Sequence, residues 1–377
     1  MIYADYNATA PLRPEARDAM LAALEVGANP SSVHGPGRAA RKLLETARSQ
    51  VSLAIGARAQ DVIFTSGGTE ASALALNGVV AQLEGQCTLL VSAIEHEAVM
   101  KNAGFAGVAV ETAYVTADGV IDLERLRTRL QDWNTDRDGT PVLALMLANN
   151  ETGVIQPVAE AAALVREAGG LIHCDAVQGL GKVIVNVNLL GVDYLALSAH
   201  KVGGPQGVGA LWVRSGAPLK PVLFGGGQER ALRSGTENLS GIAGFGAATE
   251  ACIRDMPSLQ AMSSLRDGLE SRLASEAGIT IFGAGVDRLP QTSNFAIEGF
   301  RAETQVMAMD LAGVAVCSGS ASDSGKVKRS VGLGAVGGEG GRAGERGGGG
   351  GGGVGGGGGG GRGGGGGRRG GGGGRGR

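Results

Sequence analysis

The chain has 377 residues, a formal net charge of −2 at pH 7 and 43% hydrophobic residues, a composition typical of a globular protein with one large and one smaller domain. It has no run of about 18 apolar residues that could span a bilayer, and its N-terminus lacks the basic and apolar segments of a signal peptide. Its four cysteines show neither metal-ligand nor disulfide spacing, so we expect no metal site and a cytoplasmic location. The lack of an apolar run argues against membrane insertion, and the mild negative charge argues against a nucleic-acid partner for the folded part.

Helical and strand-like segments alternate along most of the chain. In chain order, the hydrophobic pattern predicts a helix at 36–55, a strand at 62–65, a helix at 69–83, a strand at 88–92, a helix at 123–131, a strand at 142–148, a helix at 158–168, and strands at 171–175, 194–198 and 210–213. A long helix at 258–277 follows, then strands at 292–297 and 314–317 with a helix at 303–312 between them. This alternation predicts an α/β fold with a mostly parallel sheet covered by helices on both faces.

The predicted strand 194–198 ends in the most informative residues of the chain, Ser198, Ala199, His200 and Lys201, followed by a glycine-rich turn. A lysine that leaves a buried strand keeps its amine near a dry interior, where burial disfavours the charged form. A neutral amine can attack a carbonyl and form a Schiff base, as in pyridoxal-phosphate enzymes. Taken alone, Lys201 is more simply explained as a solvated loop lysine.

Three other predicted strands also end in polar residues. After strand 62–65, a Gly-Gly turn and Thr69 begin a helix whose free N–H groups can bind a phosphate. Asp175 ends strand 171–175 and could pair with a pyridine nitrogen. His96 follows strand 88–92. Each has a plain structural alternative: a simple turn, a helix N-cap and a structural histidine. Because the carboxyl ends of parallel strands meet at one edge of the sheet, the four together predict a pyridoxal-phosphate site.

Ten short motifs extend this pattern over residues 1 to about 330; they occupy 3–9, 29–34, 65–70, 95–96, 149–153, 173–178, 198–201, 225–230, 233–238 and 317–321. With these motifs the chain resembles the NifS/IscS-type cysteine desulfurases, class-V members of the aspartate-aminotransferase fold type I. The resemblance implies a large domain at 15–255 with a seven-stranded sheet sandwiched by helices. It also implies a small α+β domain built from 1–14 and 256–330.

The resemblance also implies an activity. Such enzymes use pyridoxal phosphate to convert L-cysteine to L-alanine, and they pass the sulfur, through an enzyme persulfide, into iron–sulfur cluster assembly. The expected partners are a second copy of the chain in a homodimer and an iron–sulfur scaffold or another sulfur-acceptor protein.

The roles implied for individual residues follow the motifs. Lys201 would form the Schiff base, Asp175 would pair with the ring nitrogen and His96 would stack on the ring. Further residues implied are Asn150 and Gln178 for the ring hydroxyl region; Gly68, Thr69, Ser198 and His200 for the phosphate; Thr236 for the phosphate of the neighbouring subunit; and Asn29 near the substrate carboxylate.

The chain departs from this family in its mobile loop. The nucleophilic cysteine of the family is replaced by Ser322, and a hydroxyl cannot carry a persulfide. Cys317 lies five residues upstream, and we expect it to end a buried strand as a small apolar residue; the alternative is a substitute nucleophile. Desulfuration is therefore expected to be impaired. A selenocysteine lyase-like enzyme, which needs no cysteine nucleophile, and a non-catalytic cofactor-binding homologue remain open.

The last 47 residues, 331–377, form a second departure, because 32 of them are glycine. Glycine has no side chain to bury and loses the most backbone entropy on folding, so this tail is expected to stay disordered and to leave the small domain loosened. A shifted reading frame in GC-rich DNA, or a sequencing artefact, would produce such a composition. The rival interpretation is an Arg-Gly segment that binds nucleic acid through its seven arginines.

Overall fold

The structure, a computed structural model, describes residues 1–318. Its strands are β1 (Ile2–Tyr3), β2 (Val62–Thr65), β3 (Cys87–Ser92), β4 (Ala109–Ala113), β5 (Thr140–Ala144), β6 (Leu171–Asp175), β7 (Tyr194–Ser198), β8 (Gly209–Val213), β9 (Thr280–Ile281), β10 (Phe295–Ala296) and β11 (Val314–Ala315). Its α-helices are α1 (Pro14–Val26), α2 (Gly35–Ala54), α3 (Gly68–Gln82), α4 (Glu97–Phe105), α5 (Leu123–Gln131), α6 (Thr135–Asp138), α7 (Val158–Glu167), α8 (Val187–Leu190), α9 (Leu239–Gln260), α10 (Met262–Ala277) and α11 (Ala302–Leu311).

Seven strands form one sheet in the order β2-β8-β7-β6-β5-β3-β4. Strand β8 runs antiparallel to both of its neighbours, and the other strand pairs are parallel. The predicted α/β fold with a mostly parallel sheet is therefore confirmed. Strands β2, β3, β6 and β7 consequently end at the same edge, where a parallel sheet binds its ligands.

Helices cover both faces of this sheet. Successive residues of β7 alternate between the two hydrophobic clusters: Leu195 and Leu197 belong to one, and Tyr194 and Ala196 to the other. Side chains along a strand point alternately to opposite faces, so β7 is buried on both sides. This explains why it is an almost continuous apolar run in the sequence.

The helices that follow β8 differ from the prediction. The predicted helix at 258–277 is wrong as a single element, because α9 ends at Gln260 and α10 begins at Met262. Helix α9 begins far upstream and continues through Pro257. Its glycines conceal it in the sequence, but they allow close packing: a Cβ added to Gly246 would lie 2.7 Å from the Cα of Ala47 in α2.

Two short strand pairs lie outside the main sheet. Strand β1 pairs in parallel with β11, and β9 pairs with β10. The predicted buried strand end at Cys317 is wrong: β11 stops at Ala315, and Cys317 lies two residues beyond it and is exposed. No helix in the described part of the chain is long and apolar enough to cross a membrane.

Candidate active site

Lys201 ends a short 3-10 turn that directly follows β7. Its amine donates hydrogen bonds to the carbonyl oxygen of Ala8, at 2.9 Å, and to that of Asn7. Burial lowers the pKa of Lys201, and the nearby carboxylates of Asp175 and Asp5 oppose this shift. The predicted desolvation of this lysine therefore has a structural basis, and the fraction of molecules with a neutral Lys201 amine is larger than for a solvated lysine.

Asn7 brings three predicted residues together. Its carbonyl oxygen accepts hydrogen bonds from Lys201 and, at 2.8 Å, from Nε2 of Gln178. Its own Nδ2 donates to the carbonyl oxygen of Asn150 at 3.1 Å and to Oγ1 of Thr292 at 3.0 Å. We call Asn7, Asn150, Gln178 and Lys201 the Lys201 cluster.

Asp175 lies buried at the end of β6. Its Oδ1 accepts a 3.0 Å hydrogen bond from the N–H of Val177, and the chain continues as a turn, so the alternative of a helix N-cap is wrong. Burial raises the pKa of Asp175, whereas the Val177 N–H and the charge of Lys201 lower it. The carboxylate is thus held within electrostatic range of the Lys201 amine.

His96 and Glu95 lie beside this carboxylate. Nδ1 of His96 accepts a 3.1 Å hydrogen bond from the N–H of Ala98 and caps α4, so the ring proton is on Nε2. Oε1 of buried Glu95 accepts from the N–H of Met146 at 2.6 Å, and its Oε2 has no hydrogen-bond partner in the described part of the chain. Burial, together with the charge of Asp175, raises the pKa of Glu95 well above its usual value.

Helix α3 begins at Gly68 and points its N-terminus at the same sheet edge. A Cβ added to Gly68 would lie 2.7 Å from Cγ2 of Val177 and 3.6 Å from Cβ of Ser198. Only glycine therefore lets the helix start approach the ends of β6 and β7 this closely. Thr69, in the first turn of α3, is exposed.

His200 lies on the other side of Lys201. Its Nδ1 is 3.1 Å from Oγ1 of Thr9. Burial and the charges of Lys201 and Lys182 lower the pKa of His200 to about 4. The imidazole is therefore neutral near pH 7 and can offer one N–H to a ligand.

Two predicted site residues of the described part of the chain, Thr236 and Asn29, are not part of this arrangement. Thr236 is exposed, and no hydrogen bond among residues 1–318 joins its side chain to the Lys201 cluster. Asn29 is also exposed, and its Oδ1 accepts from the N–H of Ser31 at 2.8 Å. Ser322 lies outside the described residues. Exposed Cys317, by contrast, lies within electrostatic range of Lys201, whose pKa it raises.

Our sequence-based predictions assign no role to Asn7, Glu95 or Lys182. The first two carried a signal, since Asn7 lies in the motif at 3–9 and Glu95 directly precedes His96. A shared edge that presents an amine, a buried carboxylate, an imidazole and a helix N-terminus can hold an aldehyde that carries a basic ring nitrogen and an anionic tail.

Comparisons with known proteins agree on one family. Residues 2–331 match the family model described as aminotransferase class-V. A cysteine desulfurase of Cereibacter sphaeroides is 42% identical over 336 residues, which cover 87% of this chain and 85% of that protein. A solved NifS-like protein superposes with a TM-score of 0.81 at 33% identity, covering 89% of each chain. The structure of SspA in complex with cysteine gives a TM-score of 0.76 at 27% identity, covering 91% of this chain and 96% of that one.

Proposed function

The chain belongs to the aminotransferase class-V family, and we propose that it is a pyridoxal-phosphate-dependent cysteine desulfurase acting on L-cysteine. Cysteine desulfurases of this class are pyridoxal-phosphate enzymes, and its relatives of that name match over most of their length. One observation carries the proposal: the partly desolvated amine of Lys201 shares the carbonyl of Asn7 with Gln178 and lies in the field of buried Asp175.

The residues at this edge fit the cofactor. The donor set offers an amine for the aldehyde at Lys201, a carboxylate for the ring nitrogen at Asp175, and N–H groups for the phosphate at the start of α3, which lies against Ser198. We propose His200 as a further phosphate ligand. Side-chain atoms at Gly68 would obstruct that approach, and their absence keeps the helix start accessible. Bound there, pyridoxal phosphate supplies an electron sink that makes the Cα–H of an amino acid acidic.

The chain's own groups would handle the protons. Lys201, with its pKa lowered by burial, accepts the proton from the substrate Cα more readily than a solvated lysine would. Asp175, whose Oδ1 accepts from the Val177 N–H and whose pKa nearby positive charge lowers against the effect of burial, would pair with the ring nitrogen and keep it protonated. His96, fixed by its capping bond to Ala98, offers a rigid ring face for stacking.

Sulfur transfer is the step in which this chain differs. A thiolate that attacks the sulfur of cysteine becomes a persulfide as the carbon–sulfur bond breaks, and Ser322 cannot play that part. Cys317 is the second candidate, since it is exposed and within electrostatic range of Lys201. We therefore propose a desulfurase with weakened sulfur transfer, in which Cys317 supplies the residual thiol.

We also propose that the enzyme acts as a cytoplasmic homodimer that passes sulfur to an iron–sulfur scaffold or another acceptor protein. The exposure of Thr236 supports the dimer, because an exposed side chain is accessible to the site of a second copy. Cys87, Cys174 and Cys252 are buried free thiols, which suits a reducing compartment.

Spectroscopy separates the candidate functions. The purified protein with pyridoxal phosphate should show the visible band of a Schiff base, and L-cysteine should change that band. The band should be absent in Lys201→Ala. A band that neither L-cysteine nor L-selenocysteine changes indicates a non-catalytic homologue. A band that changes with L-selenocysteine alone indicates a selenocysteine lyase. The absence of any band in the unaltered chain contradicts the proposal.

A sulfide-release assay tests the sulfur step. Ser322→Cys should release sulfide faster than the unaltered chain, because it restores a thiol at the family position. Cys317→Ser should abolish the residual release but leave the visible band unchanged. Equal rates for the unaltered chain and Ser322→Cys would show that the serine is no impediment.

A further inference from the structure

Lys182 is a buried lysine that none of the roles above uses. It is 6% exposed, and its Nζ donates a 2.6 Å hydrogen bond to Oε1 of Gln178. Within residues 1–318 no carboxylate forms an ion pair with it. A buried amine without a counter-ion costs stability, so its position needs a reason other than folding.

Helix α9 holds Lys182 in this position. Nε2 of Gln260 donates a 2.7 Å hydrogen bond to the carbonyl oxygen of Lys182. The preceding Gly181 has a positive φ of 71°, and a Cβ there would lie 2.5 Å from Sγ of Cys252. The turn after β6 is thus pressed against α9 in a conformation that requires glycine, and Lys182 points back toward Gln178.

The Gln178 side chain connects Lys182 to the Lys201 cluster. Its Oε1 accepts from Lys182, and its Nε2 donates to the carbonyl oxygen of Asn7, which also accepts from Lys201. The two ends of an amide have nearly the same shape, so their partners decide its orientation. In the flipped orientation, the NH2 group would face the N–H donors of Lys182, and Oε1 would face the carbonyl oxygen of Asn7.

We propose that Lys182 is a positioning residue, which fixes the Gln178 amide so that its N–H donor, and not its oxygen, faces the Lys201 site. This inference rests on the proposed function, since the oxygen that would accept from Gln178 is the anionic ring oxygen of pyridoxal phosphate. Burial and the charge of Lys201 lower the pKa of Lys182 to about 7, and both of its protonation states keep N–H donors for Oε1.

A double-mutant cycle on cofactor affinity tests this role. Apo protein is titrated with pyridoxal phosphate for the unaltered chain, Lys182→Met, Gln178→Ala and the double variant, and the melting temperature of each apo protein is recorded. Lys182→Met should weaken binding about tenfold, the value of one hydrogen bond to a charged group. In the Gln178→Ala background the same change should have no further effect. Exposed Lys220→Met is the control and should bind as the unaltered chain does.

Two results would overturn the inference. The first is an unaltered affinity for pyridoxal phosphate in Lys182→Met. The second is that Lys182→Met lowers the affinity as much in the Gln178→Ala background as in the unaltered chain, which would indicate a merely structural lysine. Lys182→Gln, which keeps an N–H donor without the charge, replaces Lys182→Met if that variant does not fold, and it should retain most of the affinity. Loss of affinity in Lys182→Gln equal to that in the Gln178→Ala variant contradicts the inference. If the unaltered chain binds no pyridoxal phosphate, the proposed function fails and takes this role with it.

Discussion

Two buried glutamates, Glu95 and Glu229, have different electrostatic surroundings, and the difference has consequences for stability. Glu95 is buried, accepts one hydrogen bond from a backbone N–H and forms no ion pair within residues 1–318; burial and Asp175 raise its pKa. Glu229 is also buried, but it accepts two hydrogen bonds from Arg48, at 2.7 and 2.8 Å, and one from the N–H of Phe64. The first carboxyl favours its neutral form, and the second is half of an ion pair.

The same substitution at these two glutamates should therefore give different results. Glu95→Gln should change the free energy of unfolding at pH 7 by less than about 1 kcal/mol, because burial and Asp175 already disfavour the charged form of Glu95 and a neutral amide of similar shape takes its place. Glu229→Gln should cost about 3 kcal/mol, because the buried guanidinium of Arg48 loses its buried, doubly bonded carboxylate and keeps only the half-exposed Glu45 as an ionic partner. Urea denaturation of both variants measures the difference. Equal losses would contradict the two assignments.

His173 makes the fold sensitive to acid. It is fully buried in β6 beside Ser72, and burial lowers its pKa from 6.5 to about 4. Between these values the unfolded chain binds one proton more than the folded one, so the contribution of His173 is complete above pH 6.5 and is lost as the pH falls. The loss amounts to about 3 kcal/mol by pH 4.

His173→Gln removes this titration and keeps a polar partner for Ser72. The stability of the variant should fall less steeply below pH 6.5 than that of the unaltered chain, so that the gap between them narrows with acid. Urea denaturation over this pH range measures both slopes. Parallel curves would show that His173 does not carry the acid sensitivity.

At the scale of elements, close helix packing depends on glycine. Gly246 of α9 lies against Ala47 of α2, with 2.7 Å between an added Cβ and the Ala47 Cα. Gly268 in α10 has no atom within 4 Å of its added Cβ. Gly246→Ala should destabilise the protein by about 1–3 kcal/mol through overpacking, whereas Gly268→Ala should stabilise it by up to about 1 kcal/mol through helix propensity. Thermal denaturation distinguishes them, and a loss in both variants would contradict this account of the packing.

This packing also explains which elements the sequence could predict. Strands β2, β6 and β7 are found at their predicted bounds, because both of their faces are buried and they stand out as apolar runs. Helix α9 escaped prediction because its glycines have low helix propensity, and tertiary contacts with α2 override that preference. Strand β4 has mostly polar or exposed residues and carried no comparable signal.

At the scale of the whole molecule, the predicted site is built from segments that are distant in the sequence and adjacent only in the folded chain. The strand ends at Asp175 and Lys201 follow from the rule for parallel sheets. Asn7 and Lys182 do not, since the first reaches the edge from the N-terminus and the second reaches it from beneath α9. Such contacts have no periodicity and no local motif that reveals their partner.

The central claim is that Lys201 is the residue that binds pyridoxal phosphate covalently. Reduction of the loaded protein with sodium borohydride, followed by peptide mass mapping, tests it most directly. We predict a single label on Lys201, present in Lys182→Met and absent in Lys201→Ala. A label on Lys182 or any other lysine of the unaltered chain, or no label at all, would contradict the account.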